Sequence, residues 1–316
     1  MKKTLILSIA AVLVFLSACT GRHTLEENDV NAPVTVEDSR TASTPSSSAA
    51  NSTLTQGVTS PLTGRKVLSP AVFEVNDPQN TRGLSVERIE HSYGVAKNGE
   101  PHEISKNAQK YFESTNYNVI CYDTKSTEKV IYLTFDCGWE NGYTDDVLDT
   151  LKEKNVPAAF FCTLEHIQKS PELIARMIKE GHIVGNHSAN HPNFAEIDRQ
   201  RMADEILECD NYLRENFGYT SKFFRFPEGC YTENALELVH SMGYTSVFWS
   251  SAYADWDVSK TKGKDYAFTT VTSRLHPGAI LLLHSVSPDN AAALGDIIDW
   301  ARSNGYEFKA LSDYKF

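Results

Sequence analysis

The alternation of short apolar runs with capped helical patterns, which begins near residue 130, constrains the fold most. Seven runs rich in β-branched or aromatic residues predict strands, at 130–135, 158–162, 182–185, 223–226, 246–250, 280–284 and 308–311. Helical patterns separate them, at 144–154, 170–181, 198–217, 232–243 and 290–303. This βα alternation predicts an α/β fold, an incomplete TIM-like (β/α)7 barrel, with an open doubly wound sheet as the alternative. No glycine-rich phosphate-binding motif follows any predicted strand, which argues against a nucleotide site.

Polar side chains end or follow five of the predicted strands. They are Asp136, the pair His187 and His191, Arg225, Asp255 and His284. Taken singly, each has an ordinary structural explanation, such as a turn acid, a surface pair, an ion-pair partner or a buried histidine. Because strand C-terminal ends share one face of a βα barrel, we expect all of them at a single site.

This set of residues indicates metal-assisted hydrolysis. Two imidazoles four residues apart can bind one divalent ion if the segment is helical or tightly turned. Asp136 can serve as a general base and His284 as a general acid, with Asp255 raising the histidine's pKa and Arg225 keeping the base ionised. A glycosidase with paired carboxylates fits less well, because it leaves the two histidines unexplained.

Five ordered segments carry a family resemblance: 134–138 (Thr-Phe-Asp-Cys-Gly), 187–191, 225–229, Asp255 with Trp256, and Leu282 with His284. In these segments the chain resembles the NodB-type polysaccharide deacetylases, carbohydrate esterase family 4. The phrases at 136–144, 248–253 and 281–290 are most similar to the sporulation-type N-acetylmuramate deacetylases, the PdaA type. The resemblance covers roughly residues 90–316.

The resemblance implies a (β/α)7 barrel that removes acetate from an N-acetylated sugar, here muramic acid in peptidoglycan, as a step toward muramic δ-lactam in spore cortex. It implies that Asp136 is the base, oriented by Arg225, and that His187 and His191 are metal ligands. It also implies that His284 is the acid and that Asp255 tunes its pKa. Leu282 and Trp256 would line the acetyl pocket, and Gly229 and Tyr231 would belong to the substrate-binding segment that supplies a backbone N–H. A deacetylase of N-acetylglucosamine polymers and a catalytically silent wall-binding domain stay open as alternatives.

Cys137 stands where most of the family has a second aspartate as third metal ligand. A thiolate there would favour zinc, whereas an uncoordinated thiol would leave a site with two histidines. Cys137 is a candidate ligand of a divalent ion, with zinc as the expected metal. The other cysteines of the domain (Cys121, Cys162, Cys209 and Cys230) match no CxxC pattern and are predicted to be small buried residues.

The N-terminal residues have the pattern of an export signal. Two lysines precede an apolar run at 5–16, too short to span a bilayer, and Leu16-Ser17-Ala18-Cys19 resembles a bacterial lipobox. We predict a signal peptide at 1–18 and lipidation of Cys19, which would anchor the protein to the outer face of the cytoplasmic membrane, facing the cell wall. A conventional signal peptide with an incidental cysteine is the alternative.

The rest of the chain is predicted to form three segments. Between residues 41 and 60, eleven of twenty residues are Ser or Thr, which predicts a disordered tether over 19–65. We expect 66–125 to form an extension that packs on the barrel and 126–316 to form the deacetylase domain. The formal charge of -11 argues against nucleic acid as a partner, and a monomer acting on peptidoglycan glycan strands is expected.

Overall fold

The computed structural model describes residues 57–315. The predicted signal peptide, Cys19 and residues 19–56 of the predicted tether lie outside this range. Within residues 57–315, no helix combines the length and the apolar composition needed to cross a membrane.

One curled sheet organises the described residues. Its eight strands are β2 (Val119–Ile120), β3 (Val130–Cys137), β4 (Ala158–Cys162), β5 (Ile183–Asn186), β6 (Phe223–Phe224), β8 (Thr245–Val247), β9 (Ala279–His284) and β10 (Glu307–Phe308). Every pairing between them is parallel. Two further strands, β1 (Ile89–Glu90) and β7 (Cys230–Tyr231), form a separate antiparallel pair.

The sheet curls back on itself and confirms the incomplete barrel. Its path runs β10-β3-β4-β5-β6-β8-β2, while β9 lies beside β3. The chain after β8 then reaches β9, where the amide of Ser250 donates to the carbonyl of Ile280 at 3.1 Å and Ser251 bridges to Leu281. All seven predicted strands are present, and β2 is an additional strand contributed by the segment before the predicted domain.

Helices cover the outer face of the sheet. They are α1 (Glu103–Thr115), α2 (Thr144–Lys154), α3 (Leu164–Lys169), α4 (Pro171–Lys179), α5 (Arg199–Phe217), α6 (Glu233–Ser241), α7 (Lys264–Thr272) and α8 (Pro288–Ser303). Local sequence explains their ends: Asp198 caps α5 by accepting from the amide of Arg201 at 2.8 Å, and Gly218 ends it in the left-handed conformation. Apolar side chains of β3, β4 and β9 pack against α2, α4 and α8 and form the largest core cluster.

The segment before the barrel differs from the expectation at one boundary. Residues 57–65, assigned to the tether, pack on the C-terminal end of α5. Ser60 is only 2% exposed there, and the hydroxyl of Thr63 donates to the carbonyl of Phe217 at 2.7 Å. The packed chain therefore starts before residue 66. Further along, Phe112 of α1 stacks on Phe248 with ring centroids 5.0 Å apart.

Candidate active site

A cavity of about 840 Å³ opens at the C-terminal ends of the barrel strands. The predicted residues that line it are Asp136, His187, His191, Gly229, Trp256, Leu282 and His284. Residues that lie almost 150 positions apart in sequence thus meet at one rim, as the parallel topology requires.

Asp136 lines the cavity and is paired with Arg225, which is fully buried. Asp136 is the penultimate residue of β3, and its Oδ1 accepts from Nη1 of Arg225 at 2.7 Å. The guanidinium is fully buried, stacks over Phe161 at 4.1 Å and donates to the carbonyl of Val247 and the hydroxyl of Thr134, each at 2.9 Å. Burial raises the pKa of Asp136, but the charge of Arg225, with smaller contributions from His187 and His284, outweighs it and holds the pKa below the ordinary value. The carboxylate is therefore ionised at neutral pH.

The two predicted metal ligands lie side by side on a tight turn after β5, not on a helix. Ser188 and His191 both have positive φ, and the turn is held by the amide of His191 donating to the hydroxyl of Ser188 at 3.0 Å. The imidazole centroids of His187 and His191 are 4.8 Å apart. A turned segment thus brings the i and i+4 side chains together.

The proton on His187 is fixed by its neighbour. Nδ1 lies 2.8 Å from the carbonyl of Arg225, and because a carbonyl only accepts, Nδ1 carries the hydrogen. Burial lowers the pKa of His187 to about 4, so the ring is neutral at pH 7 and Nε2 keeps its lone pair. That atom lies 3.7 Å from Oδ2 of Asp136.

Two electron-rich atoms therefore face each other without a proton between them. A cation stabilises such a pair, and neutral imidazole nitrogens beside a carboxylate are an ordinary donor set for divalent metals. The residues present therefore fit a divalent ion.

His284 ends β9 opposite Asp136. Its Nδ1 bonds Oδ1 of Asp255 at 2.7 Å, and its backbone amide donates to Oδ2 of the same carboxylate at 2.8 Å. Burial lowers the pKa of His284, but the charge of Asp255 and this hydrogen bond more than compensate, so that the pKa lies above 6.5. Nε2 is left to face the cavity, as the predicted acid requires.

The predicted substrate-binding residues divide into two groups. Leu282 and the exposed Trp256 line the cavity, and the Trp256 ring lies 6.1 Å from that of His284. Gly229 also lines it, with φ of 68° and room for no side chain, since a Cβ would lie 2.8 Å from the Trp249 ring. The Tyr231 side chain is instead 3% exposed and packs on Phe248, with ring centroids 4.9 Å apart. The Tyr231 ring therefore does not line the cavity, and the expected contribution of its segment, a backbone N–H, stays a prediction.

Cys137 is placed differently from the expectation. Neighbouring residues of a strand point to opposite faces, so Cys137 faces away when Asp136 faces the cavity. The thiol is fully buried, lies 3.5 Å from the hydroxyl of Ser285 and belongs to the core cluster. The structure therefore does not bring Cys137 to the histidine pair as a third ligand.

Four further residues complete the site and were not predicted. Thr134 supports Arg225, and Asn290 donates to Oδ2 of Asp255 at 2.5 Å. Trp249 and Tyr93 line the cavity, so the segment before the barrel contributes to its wall. Thr134 and Asn290 stand inside or beside the recognised motifs, but no spacing rule in the chain marks them as partners of Arg225 and Asp255.

Comparisons with known proteins agree with this geometry. The polysaccharide deacetylase family model matches residues 123–247. The chain is 40% identical over 251 residues to the peptidoglycan-N-acetylmuramic acid deacetylase PdaA of Bacillus subtilis, which covers 78% of this chain and 93% of that protein. It is 33% identical to a Bacillus cereus peptidoglycan-N-acetylglucosamine deacetylase, over 57% of this chain and 66% of that one. The solved structure of B. subtilis PdaA, a family 4 carbohydrate esterase, matches with a TM-score of 0.69 and 39% identity, over 73% and 97% of the two chains.

Proposed function

Because this chain belongs to the polysaccharide deacetylase family, we propose that it hydrolyses the N-acetyl group of muramic acid residues in peptidoglycan and releases acetate. The observation that carries the proposal is the placement of an ionised Asp136 and a protonatable His284 in one cavity, beside the imidazoles of His187 and His191. The similarity to PdaA over most of both chains favours muramic acid over glucosamine.

On one side of the cavity, Asp136 accepts the proton of the attacking water. Arg225 keeps the carboxylate ionised and in place through its bond to Oδ1, which leaves Oδ2 directed toward His187 and the cavity. A general base held in this way contributes about 10²- to 10⁴-fold to the rate. A divalent ion held by His187 and His191, zinc in our proposal, would polarise the acetyl carbonyl and stabilise the negative charge that develops on its oxygen.

On the other side, His284 donates its proton to the sugar nitrogen, so that the amine departs and acetate remains. Asp255 accepts from Nδ1 and stabilises the imidazolium before the transfer. Asn290 holds the second oxygen of Asp255 and so fixes the orientation of the pair. Leu282 and Trp256 stand where they can contact the acetyl methyl and the sugar ring.

The proposal includes a location and a role. A lipid on Cys19 would hold the enzyme on the outer face of the cytoplasmic membrane, with the following Ser/Thr-rich segment spanning the distance to the wall. There a monomer would act on glycan strands, and deacetylated muramic acid would be the precursor of the δ-lactam in spore cortex.

One assay tests the substrate and the reaction together. Purified protein is incubated with intact peptidoglycan and with glycan stripped of stem peptides, and the released acetate is measured. Mass spectrometry then identifies the sugar whose mass falls by about 42 mass units, the change expected when an N-acetyl group becomes a free amine. We expect loss from muramic acid, and acetate release about 10²- to 10⁴-fold slower with Asp136→Asn. Loss from glucosamine alone would reject the substrate assignment. No acetate from either material, with binding retained, would favour the silent wall-binding domain.

A further inference from the structure

A second group of metal-ligating side chains lies on the opposite side of β3 from the catalytic cavity. Cys137 ends β3, Cys162 ends β4, and the two are register partners in neighbouring parallel strands. His166 stands in the first turn of α3, where Thr163 caps the helix by accepting from its amide. The sulfur atoms of Cys137 and Cys162 and one ring nitrogen of His166 all lie within 4.8 Å of one another.

The histidine of this group is the unusual member. His166 is 1% exposed, and within the described part of the chain neither ring nitrogen has a hydrogen-bond partner. A buried imidazole normally satisfies both nitrogens, because leaving them unpaired forfeits their hydration without compensation. An unpartnered nitrogen next to two buried thiols therefore points to a ligand that all three side chains share.

We propose that Cys137, Cys162 and His166 bind a second divalent cation, zinc by the chemistry of its ligands, at a site distinct from His187 and His191. Two thiolates and one imidazole are a soft donor set that selects zinc over magnesium or calcium. On binding, the two S–H bonds break, two metal–sulfur bonds form and two protons leave to solvent.

The surroundings suit such a complex. One dication and two thiolates sum to zero charge, so the complex carries no net charge into the apolar layer formed by residues such as Val147 and Leu164. The hydroxyl of Ser285, 3.5 Å from the Cys137 sulfur, stands close enough to provide an oxygen at a fourth position. The ion would tie together the ends of β3 and β4, and Asp136 precedes Cys137 on β3, so the site would hold the strand end that carries the catalytic base.

Cobalt substitution distinguishes this site from the histidine pair, because only thiolate ligands give intense sulfur-to-cobalt charge-transfer absorption in the near ultraviolet. The full chain is loaded with Co²⁺, and spectra and metal content are measured. We expect charge-transfer absorption and two cobalt ions per chain in the unmodified protein. Cys162→Ser and His166→Ala should each lose one ion and, with it, the charge-transfer absorption.

Two control variants separate the sites. His187→Ala should lose one ion and keep the absorption, because the proposed catalytic metal site has no thiolate ligand. A failure of that site would therefore be recognised separately from a failure of the second site. Cys209→Ser, whose thiol contacts the carbonyl of Cys162 but stands outside the group of three, should keep both. Absence of charge-transfer absorption in the unmodified protein would overturn the inference, whichever variants fold. So would a Cys137–Cys162 disulfide detected by mass spectrometry in protein purified without reductant.

Discussion

Replacing Asp255 with Asn tests the assignment of His284 as the acid. Asn is nearly isosteric and can still accept from Nδ1 of His284, but it removes the negative charge 2.7 Å away. A hydrogen bond to a charged group contributes about 1.5–3 kcal/mol. Since one pKa unit corresponds to about 1.4 kcal/mol, the pKa of His284 should fall by about one to two units.

The sign of the effect follows from the required protonation state. His284 must be protonated to donate, so kcat/KM falls as pH rises through its pKa, which lies above 6.5 in the unmodified protein. In Asp255→Asn this basic limb should move down by about one to two pH units, and above it the activity should fall about 10- to 100-fold. The acidic limb, set by Asp136, should stay in place. The measurement is acetate release as a function of pH.

Asp257→Asn is the matched control. Asp257 lies two residues away, but its carboxylate bonds Ser259 and Lys260, not His284. This variant should leave both limbs where they are. The reasoning is refuted if Asp255→Asn lowers kcat/KM by the same factor at every pH, because the carboxylate would then position the site without tuning the acid.

Three further predictions concern the base, the metal and the backbone of the site. Asp136→Asn should lower kcat by about 10²- to 10⁴-fold with an unchanged circular dichroism spectrum; activity within tenfold of the unmodified enzyme would remove it as the base. His187→Ala should lose one equivalent of bound metal by elemental analysis, whereas His240→Ala, in α6 and outside the cavity lining, should retain it. Gly229→Ala should lower the free energy of unfolding in urea by more than Gly243→Ala does. Both glycines have positive φ, costing about 1–2 kcal/mol for alanine, but only at Gly229 does the new Cβ meet an indole ring, at 2.8 Å, while nothing lies within 4 Å at Gly243. Equal losses would contradict the clash.

The sequence was most informative where periodicity and topology act together. A parallel βα sheet places every strand C-terminus on one face, so Asp136 and His284 could be expected to meet although 148 positions separate them (284 minus 136). Helices with strong end signals were predicted nearly to the residue, as at α2 and α5. The helices α1, α3 and α7 were missed. α3 is only six residues long, and α7 begins after a glycine that provides no side-chain cap.

Side-chain direction was harder to predict than strand position. The family pattern places a metal ligand at position 137, directly after the base at 136, but consecutive residues of a strand face opposite sides, and Asp136 is held inward by Arg225. Cys137 consequently faces the helix layer. The ring of Tyr231 likewise turns inward, into an aromatic cluster with Phe112 and Phe248, so only the backbone of this segment could face the substrate.

The two catalytic-site histidines with opposite pKa shifts carry the strongest chemical argument. His187 and His284 are both largely buried, so desolvation alone would make both neutral. The partner of Nδ1 decides between them. A carbonyl oxygen holds the His187 proton without stabilising a positive charge strongly, and the ring stays a neutral ligand. A carboxylate at the same position stabilises the imidazolium of His284, and that ring becomes a proton donor. These opposite pKa shifts are what the proposed roles require, a neutral ligand at His187 and a proton donor at His284.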